Sequence, residues 1–404
     1  MKSTADTGTD RRGEPQPETA AARQAARTRR TACLLIAAAL VAMFLVSISR
    51  FYHPGLGFTA LIGFPAGHDF EAPAMRAIPH YDYPAWASYD GQFYAQRAFD
   101  PLARDPLVDR AMDLAPFRAR RILFSWTAYL AGFGRPAWIL EAFALQNVAA
   151  WLILAVLLTR WMPPGTPRGL ATWTACLFSH GLLWSVRFSL LDGPSLVLLV
   201  AAVRLAEAAR PLASAAVAGI NGLGRETNVL GVLAQPLPRT ARDWARLALA
   251  GALVVLPLLI WEDYLYSIYR STIFAGADQL TPPGRGLVFA AAGVTRALRT
   301  LGPFSAAGLQ AGLVLALAVQ ACFLVIRMDV GDRWWRVGAG YLLLMLVMNE
   351  VLWAPATGAM TRVVLPMTVA FNVLLARDRG ATFWPWFVMG NLHVIPGFRV
   401  MPPL

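Results

Sequence analysis

Long runs of this chain carry almost no charge, and that constrains its fold more than any motif does. A bilayer core needs about 20 apolar residues per helix. On that ruler the sequence predicts spans near 32–49, 136–159, 169–186, 191–208, 245–263, 303–326, 337–353 and 362–376. Two short apolar segments, 212–223 and 227–237, and a terminal stretch, 382–396, bring the total to about eleven passages. Composition agrees: 57% of the residues are hydrophobic, only 15% are charged, and the mean hydropathy is +0.48, outside the range of an ordinary soluble domain. The expected fold is an all-α polytopic membrane protein.

The net charge of +12 does not imply nucleic acid, because the arginines are dispersed between apolar segments. They read instead as topology signals, and those near the first span could also lean on anionic lipid headgroups. Residues 1–31 are expected to form a disordered cytoplasmic tail. Arg23, Arg27, Arg29 and Arg30 then precede an uncleaved anchor, since no small-x-small cleavage site follows it. The segment Arg121–Phe133 is apolar but too short to cross, and is expected to lie in the outer interface. With it uncrossed, the loops holding Arg160–Arg168, Arg204–Arg210, Arg239–Arg246, Arg327–Arg336 and Arg377–Arg379 all become cytoplasmic. Asp90, the turn Arg187–Asp192, the break at Arg225-Glu226 and Arg362 then fall on the outer side of the plasma membrane. Residues 32–396 read as one membrane domain with a long outer loop, 50–120, and 397–404 as a C-terminal tail.

Cys33, Cys176 and Cys322 are isolated within apolar stretches, so neither a disulfide nor a Cys-based metal cluster is expected. His53, His68 and His80 share the outer loop with Asp69, Glu71 and Asp82. Nothing in their spacing fixes a ligand geometry, so no metal ligands are assigned and a divalent metal is left open.

Four short clusters could carry chemistry. Tyr89-Asp90-Gly91-Gln92-Phe93-Tyr94 sets a carboxylate among aromatics in the outer loop, although an Asp there could equally cap a helix. Asp100 and Asp105, each close before a proline, read as turn residues. Arg187–Pro194 is a tight turn between two spans; Asp192 before Gly-Pro suits a helix start and Arg187 could snorkel, but an ionisable pair at a membrane boundary is costly. Gly222–Asn228 joins two segments each too short to span, and such breaks survive at membrane depth only when buried in protein or lining a polar cavity. Its helix ends and Arg225 suit an anion; the alternative is a self-contained Arg225–Glu226 ion pair. Arg362, opening a span that reads Arg-Val-Val-Leu-Pro, is an interfacial anchor or a second phosphate ligand.

Taken in order, these motifs resemble the GT-C glycosyltransferases that use polyprenyl-linked donors. Those near the protein mannosyltransferase and aminoarabinose transferase branches are most similar, as is a group of bacterial membrane proteins linked to cell-surface glycopolymer formation. The resemblance runs from about Ala32 to Arg377. It implies a GT-C-like membrane domain that transfers a sugar from a polyprenyl-phosphate donor to a glycan, lipid or protein acceptor at the outer face of the bacterial inner membrane. Asp90 would match the first-loop catalytic acid and Asp192 the second acidic position. Arg225, Arg362 and Arg187 would hold the donor phosphate, and Tyr89, Gln92, Tyr94 and Glu226 would line the substrate site. Two departures leave the metal requirement and the sugar open: Gly91 stands where the family has a second acid, and Gly224 where it has Thr. A lipid-linked sugar flippase or transporter, or a non-catalytic subunit of a surface-glycan assembly system, would share the same polar residues and broken helices.

Overall fold

The computed structural model describes residues 20–67, 70–84, 87–270, 279–301, 305–353 and 358–401. The chain is mostly helical, at 73% helix. Three helices are long and apolar enough to cross a membrane: Ala20–Ser49, Pro136–Arg160 (counting a closing 3-10 turn) and Ala241–Tyr269. The first begins well before the expected span. Residues 20–31 are therefore helical rather than part of a disordered tail; their Ala, Arg and Gln are strong helix formers that extend the apolar run upstream. Residues 1–19 of that expected tail lie outside the described residues.

Among the described residues most other apolar stretches are shorter or broken, and eleven continuous spans are not seen there. The stretch 169–186 divides into Pro167–Leu177 and His180–Arg187, and 362–376 into Ala359–Val363 and Leu365–Arg377. Apolar content registers burial but not such interruptions, which is why window hydropathy merges the pieces. The helix Arg285–Leu301 was not anticipated, because Arg285, Arg296 and Arg299 interleave its apolar positions. The segment expected in the interface forms the nine-residue helix Leu123–Ala131, about 14 Å long and so too short to cross a core of about 30 Å.

Packing follows side-chain size and shape. Phe44 of the first helix stacks on Trp151 of the second with ring centroids 3.8 Å apart. Asp192–Glu207 packs on Pro211–Gly222, which packs in turn on Ala241–Tyr269, and Arg333–Val347 packs on Leu365–Arg377. Beyond Gly222 the chain turns through an extended Arg225 into a 3-10 helix, Glu226–Ala234. The asparagines of this break are buried and hydrogen-bonded within the protein. Asn221 Nδ2 donates to the Ser195 carbonyl (3.0 Å), Asn228 Nδ2 to Asn221 Oδ1 (3.2 Å), and the Tyr341 hydroxyl to Asn228 Oδ1 (2.8 Å). That is the condition on which a break within an apolar bundle depends.

The loop after the first helix folds into short helices, Pro73–Arg76, Gly91–Arg97, Pro106–Arg110 and Ala115–Arg120, with a two-residue parallel pairing of Phe64–Pro65 with Asp82–Tyr83. Fully buried Arg97 pins it, donating to Asp100 (2.8 Å) and Asp109 (2.5 Å). Asp100 also accepts from the backbone of Arg104 and Asp105, and Asp105 caps the next helix through Leu107 N. Both are the turn residues their sequence context implies.

Candidate functional site

The four sequence clusters meet at one place. Asp90 occupies the N-cap position of Gly91–Arg97, yet its side chain caps nothing. Its Oδ1 instead accepts from Arg118 Nη2 at 2.9 Å. Arg118 is held from the other side by Asp113 through two bonds of 2.9 and 2.6 Å, and lies over the Phe93 ring. The Tyr94 hydroxyl sits between Arg118 and Arg121, 3.2 Å from each. Arg121 then grips Glu226 with two parallel bonds, 2.9 and 2.5 Å, the fork geometry that suits guanidinium to carboxylate.

Asp192 forms the other half. Leu191 holds the N-cap position of its helix with no side-chain cap bond, and Asp192 is the first helical residue, with its carboxylate directed to arginines. It is paired with Arg225 and, at 3.0 Å, with Arg362. Arg362 also donates to the Tyr89 hydroxyl at 3.1 Å, and Tyr89 stacks on Phe188. The self-contained Arg225–Glu226 pair therefore does not form: Arg121 takes Glu226, and Arg225 reaches across to Asp192. Four guanidiniums thus face four carboxylates within a largely apolar bundle. The Nε atoms of Arg225 and Arg362 are buried with no hydrogen-bond partner among the described residues.

The backbone explains the convergence. A Cβ on Gly91 would collide with the carbonyls of Phe188 and Ile62, so glycine is what lets the Asp90 loop lie against the Arg187–Asp192 turn. That turn is fixed from beneath. Asn147 Nδ2 donates to the Leu190 carbonyl (2.8 Å), Ser185 Oγ to Asn147 Oδ1 (3.0 Å), and Gly193 N to Ser185 Oγ (2.8 Å). At Gly224 a Cβ would meet the Phe124 ring at 2.5 Å, which accounts for glycine at this position. Gly91→Ala should therefore lower stability by about 1–3 kcal/mol and displace Asp90. Gly251→Ala, where a Cβ meets nothing, should leave the melting temperature unchanged or raise it. Thermal melts of the two purified variants check this; equal melting would mean that the packing at Gly91 does not matter.

Exposure separates the members. The side chains of Asp192, Arg225 and Arg362 are 2%, 12% and 9% exposed, against 40% for Asp90. Asp90 and Asp113, the latter 42% exposed, are thus the carboxylates within reach of an incoming molecule. Of the two, Asp90 is the one that belongs with Arg362 and Asp192 to the sequence clusters, although protein surrounds it on most sides. That burial pushes its carboxyl up, but the charge and hydrogen bond of Arg118, with Arg362 and Arg121 beyond, outweigh it and hold the group below the usual carboxylate range.

Two expected site residues lie elsewhere. Arg187, expected to bind phosphate, sits among the rings of Phe51, Tyr83 and Phe188 and donates to the Ala60 carbonyl (3.2 Å). Aromatic faces and a carbonyl already occupy it, so its role is to anchor the turn. Gln92 is buried, and its side-chain Oε1 has no hydrogen-bond partner among the described residues, so that oxygen bonds no described member of the cluster. Conversely, sequence reasoning passed over Arg118 and Arg121. Their signal was available, since arginines concentrated in a loop assigned to the outer face run against the positive-inside tendency.

Among the described residues, Glu71, His80 and Asp82 are the group placed to hold a metal ion, with ligand atoms within 4.8 Å of one another. His80 Nε2 lies 3.2 Å from each carboxylate, while Nδ1 bonds the Ile78 carbonyl. His53 is not part of it, stacking instead on Tyr81, and His68 and Asp69 lie outside the described residues. No protein-family model matches the chain, and neither a curated protein nor a solved structure matches it.

Proposed function

We propose that the chain is a membrane glycosyltransferase of the GT-C type, with about eleven passages, moving a sugar from a polyprenyl-phosphate donor to an acceptor hydroxyl at the outer face of a bacterial inner membrane. The observation carrying this reading is the convergence of Asp90, Arg118, Arg121, Asp192, Arg225 and Arg362 from five separate segments. A lipid-bound phosphate is a preformed leaving group, so the protein must supply two things: stabilisation of the charge left on the phosphate, and a base for the acceptor proton.

Arg225 and Arg362 fill the first role. Asp192 holds both guanidiniums at one place, and their Nε donors are free for phosphate oxygens. In this arrangement Asp192 is a positioning residue. As the bond between the anomeric carbon and phosphate breaks, its electron pair leaves with the phosphate while the acceptor oxygen bonds to the same carbon. Asp90 takes the acceptor proton. Its basicity is low beside Arg118, but an alcohol already bonding to the anomeric carbon is a strong acid, and a weak carboxylate suffices. Protein groups alone account for these steps, and the Glu71–His80–Asp82 group does not enter them.

The test is incubation of the purified protein in lipid with radiolabelled polyprenyl-phosphate sugars. The expected result is consumption of one donor with release of polyprenyl phosphate. An intact, lipid-embedded protein that consumes none of a panel of hexosyl and pentosyl donors would overturn the reading, and movement of unconsumed donor between leaflets would replace it with transport.

A further inference from the structure

Asp192–Glu207 is a 16-residue helix, so its far end lies about 24 Å from the Asp192 cluster. There a cavity of about 770 Å³ opens between the turn at Arg210, the start of Ala241–Tyr269 and the loop entering Arg333–Val347. Five arginines line it: Arg210, Arg239, Arg246, Arg333 and Arg336. Asp243 is the lining carboxylate, and it is already engaged. Its Oδ2 accepts from Thr240 Oγ1 (2.8 Å) and Thr240 N (3.1 Å) in a capping box, and Arg246 is 3.8 Å from its Oδ1. Among the described residues, none of the other four arginines has a carboxylate within 4.0 Å.

Arg336 is the informative one. It is 9% exposed, and it donates to the carbonyls of Leu233 (2.8 Å), Val330 (2.7 Å), Gly331 (3.0 Å) and Gln235 (2.8 Å). These bonds fix the cation in the wall without neutralising it. Arg333 Nε is buried with no hydrogen-bond partner among the described residues. Enclosed positive charge without a counter-ion is costly unless an anion is supplied. The cavity also has an apolar rim, since Leu212 and Leu237 are 45% and 48% exposed. A small soluble anion gains nothing from that rim, whereas acyl chains do.

We propose that this cavity binds the phosphate headgroup of an anionic phospholipid, with its acyl chains running over Leu212 and Leu237. The site is distinct from the Asp90 cluster and does not depend on what reaction occurs there. Basic pockets between helices at a membrane boundary suit such headgroups.

The test is native mass spectrometry of the intact protein, titrated in detergent with phosphatidylglycerol or phosphatidylcholine. The wild type should retain phosphatidylglycerol in preference. In the variant Arg210→Gln/Arg239→Gln/Arg333→Gln, that retention should weaken on the order of 100-fold, leaving phosphatidylcholine retention unchanged. Arg336 is left in place because it ties several backbone segments together. If the triple variant fails to fold, Arg239→Gln alone should weaken phosphatidylglycerol retention about fivefold. Equal retention of the two lipids, or unchanged retention in the variants, would overturn the proposal. So would displacement of phosphatidylglycerol by millimolar inorganic phosphate, which would mark a site for a soluble anion.

Discussion

Asp90→Asn is expected to lower transfer by about 100- to 10,000-fold, the usual range for loss of a general base, while the protein still inserts and folds. Folding should survive because Arg118 keeps both bonds to Asp113 when the Asp90 carboxylate is gone. The pH dependence sharpens the test. Asp90 has a carboxyl held below its ordinary value, first against burial and then by Arg118, Arg362 and Arg121. A depressed carboxyl contributes stability that is complete above its unfolded value of about 3.9 and is lost as pH falls through the lower folded value. Asp90 therefore stays ionised from pH 5 to 8, and the wild-type kcat/KM profile should show no acid limb from it in that window. A limb centred near pH 6 that disappears in Asp90→Asn, or an Asp90→Asn variant within a few-fold of wild type, would remove this carboxylate from the proposed role.

The second large effect is expected at the Asp192 pair of arginines. Arg225→Gln and Arg362→Gln should each depress donor use strongly. The double variant should lose less activity than the two losses combined, because the two guanidiniums act on one phosphate. Stability should follow a different rule. Each single variant leaves Asp192 one arginine, but the double leaves a carboxylate whose side chain is 2% exposed without a counter-charge, at a cost of about 3–5 kcal/mol. Adding Asp192→Asn should restore the melting temperature and not the activity. Recovery of both together would mean that the three residues only hold the helices in register, and that phosphate is bound elsewhere.

Much of this site is legible in the sequence because its residues fall where an apolar pattern stops. Asp192 opens a helix, Arg362 closes the short helix Ala359–Val363 just before Leu365–Arg377, and Arg225 interrupts two segments too short to cross alone, so each stands out against its neighbours. The partnerships are not legible in the same way. Arg118 meets Asp90 across 28 residues, and Arg121 meets Glu226 across 105; no local spacing encodes either. The Arg225–Glu226 pair, the nearest in sequence, is the one that does not form, since extended backbone at Arg225 turns its side chain toward Asp192. Helix type is readable and helix continuity is not. A run such as 169–186 is apolar throughout, and only the fold reveals that it breaks at Phe178-Ser179.

The nine-residue 3-10 helix Glu226–Ala234 joins two regions otherwise discussed apart. At its start Arg225 and Glu226 enter the charged cluster, and at its end Gln235 gives its carbonyl to Arg336 in the wall of the basic cavity. Runs of this winding usually stop after three or four residues, and they climb about 2.0 Å per residue where an α-helix climbs 1.5. The segment therefore covers about 18 Å instead of about 14 Å. It works as a strut of fixed length, and rewinding it as an α-helix would draw its ends together by about 4–5 Å. The height of Arg225 above the cavity is thus set by how tightly one short stretch of backbone is coiled.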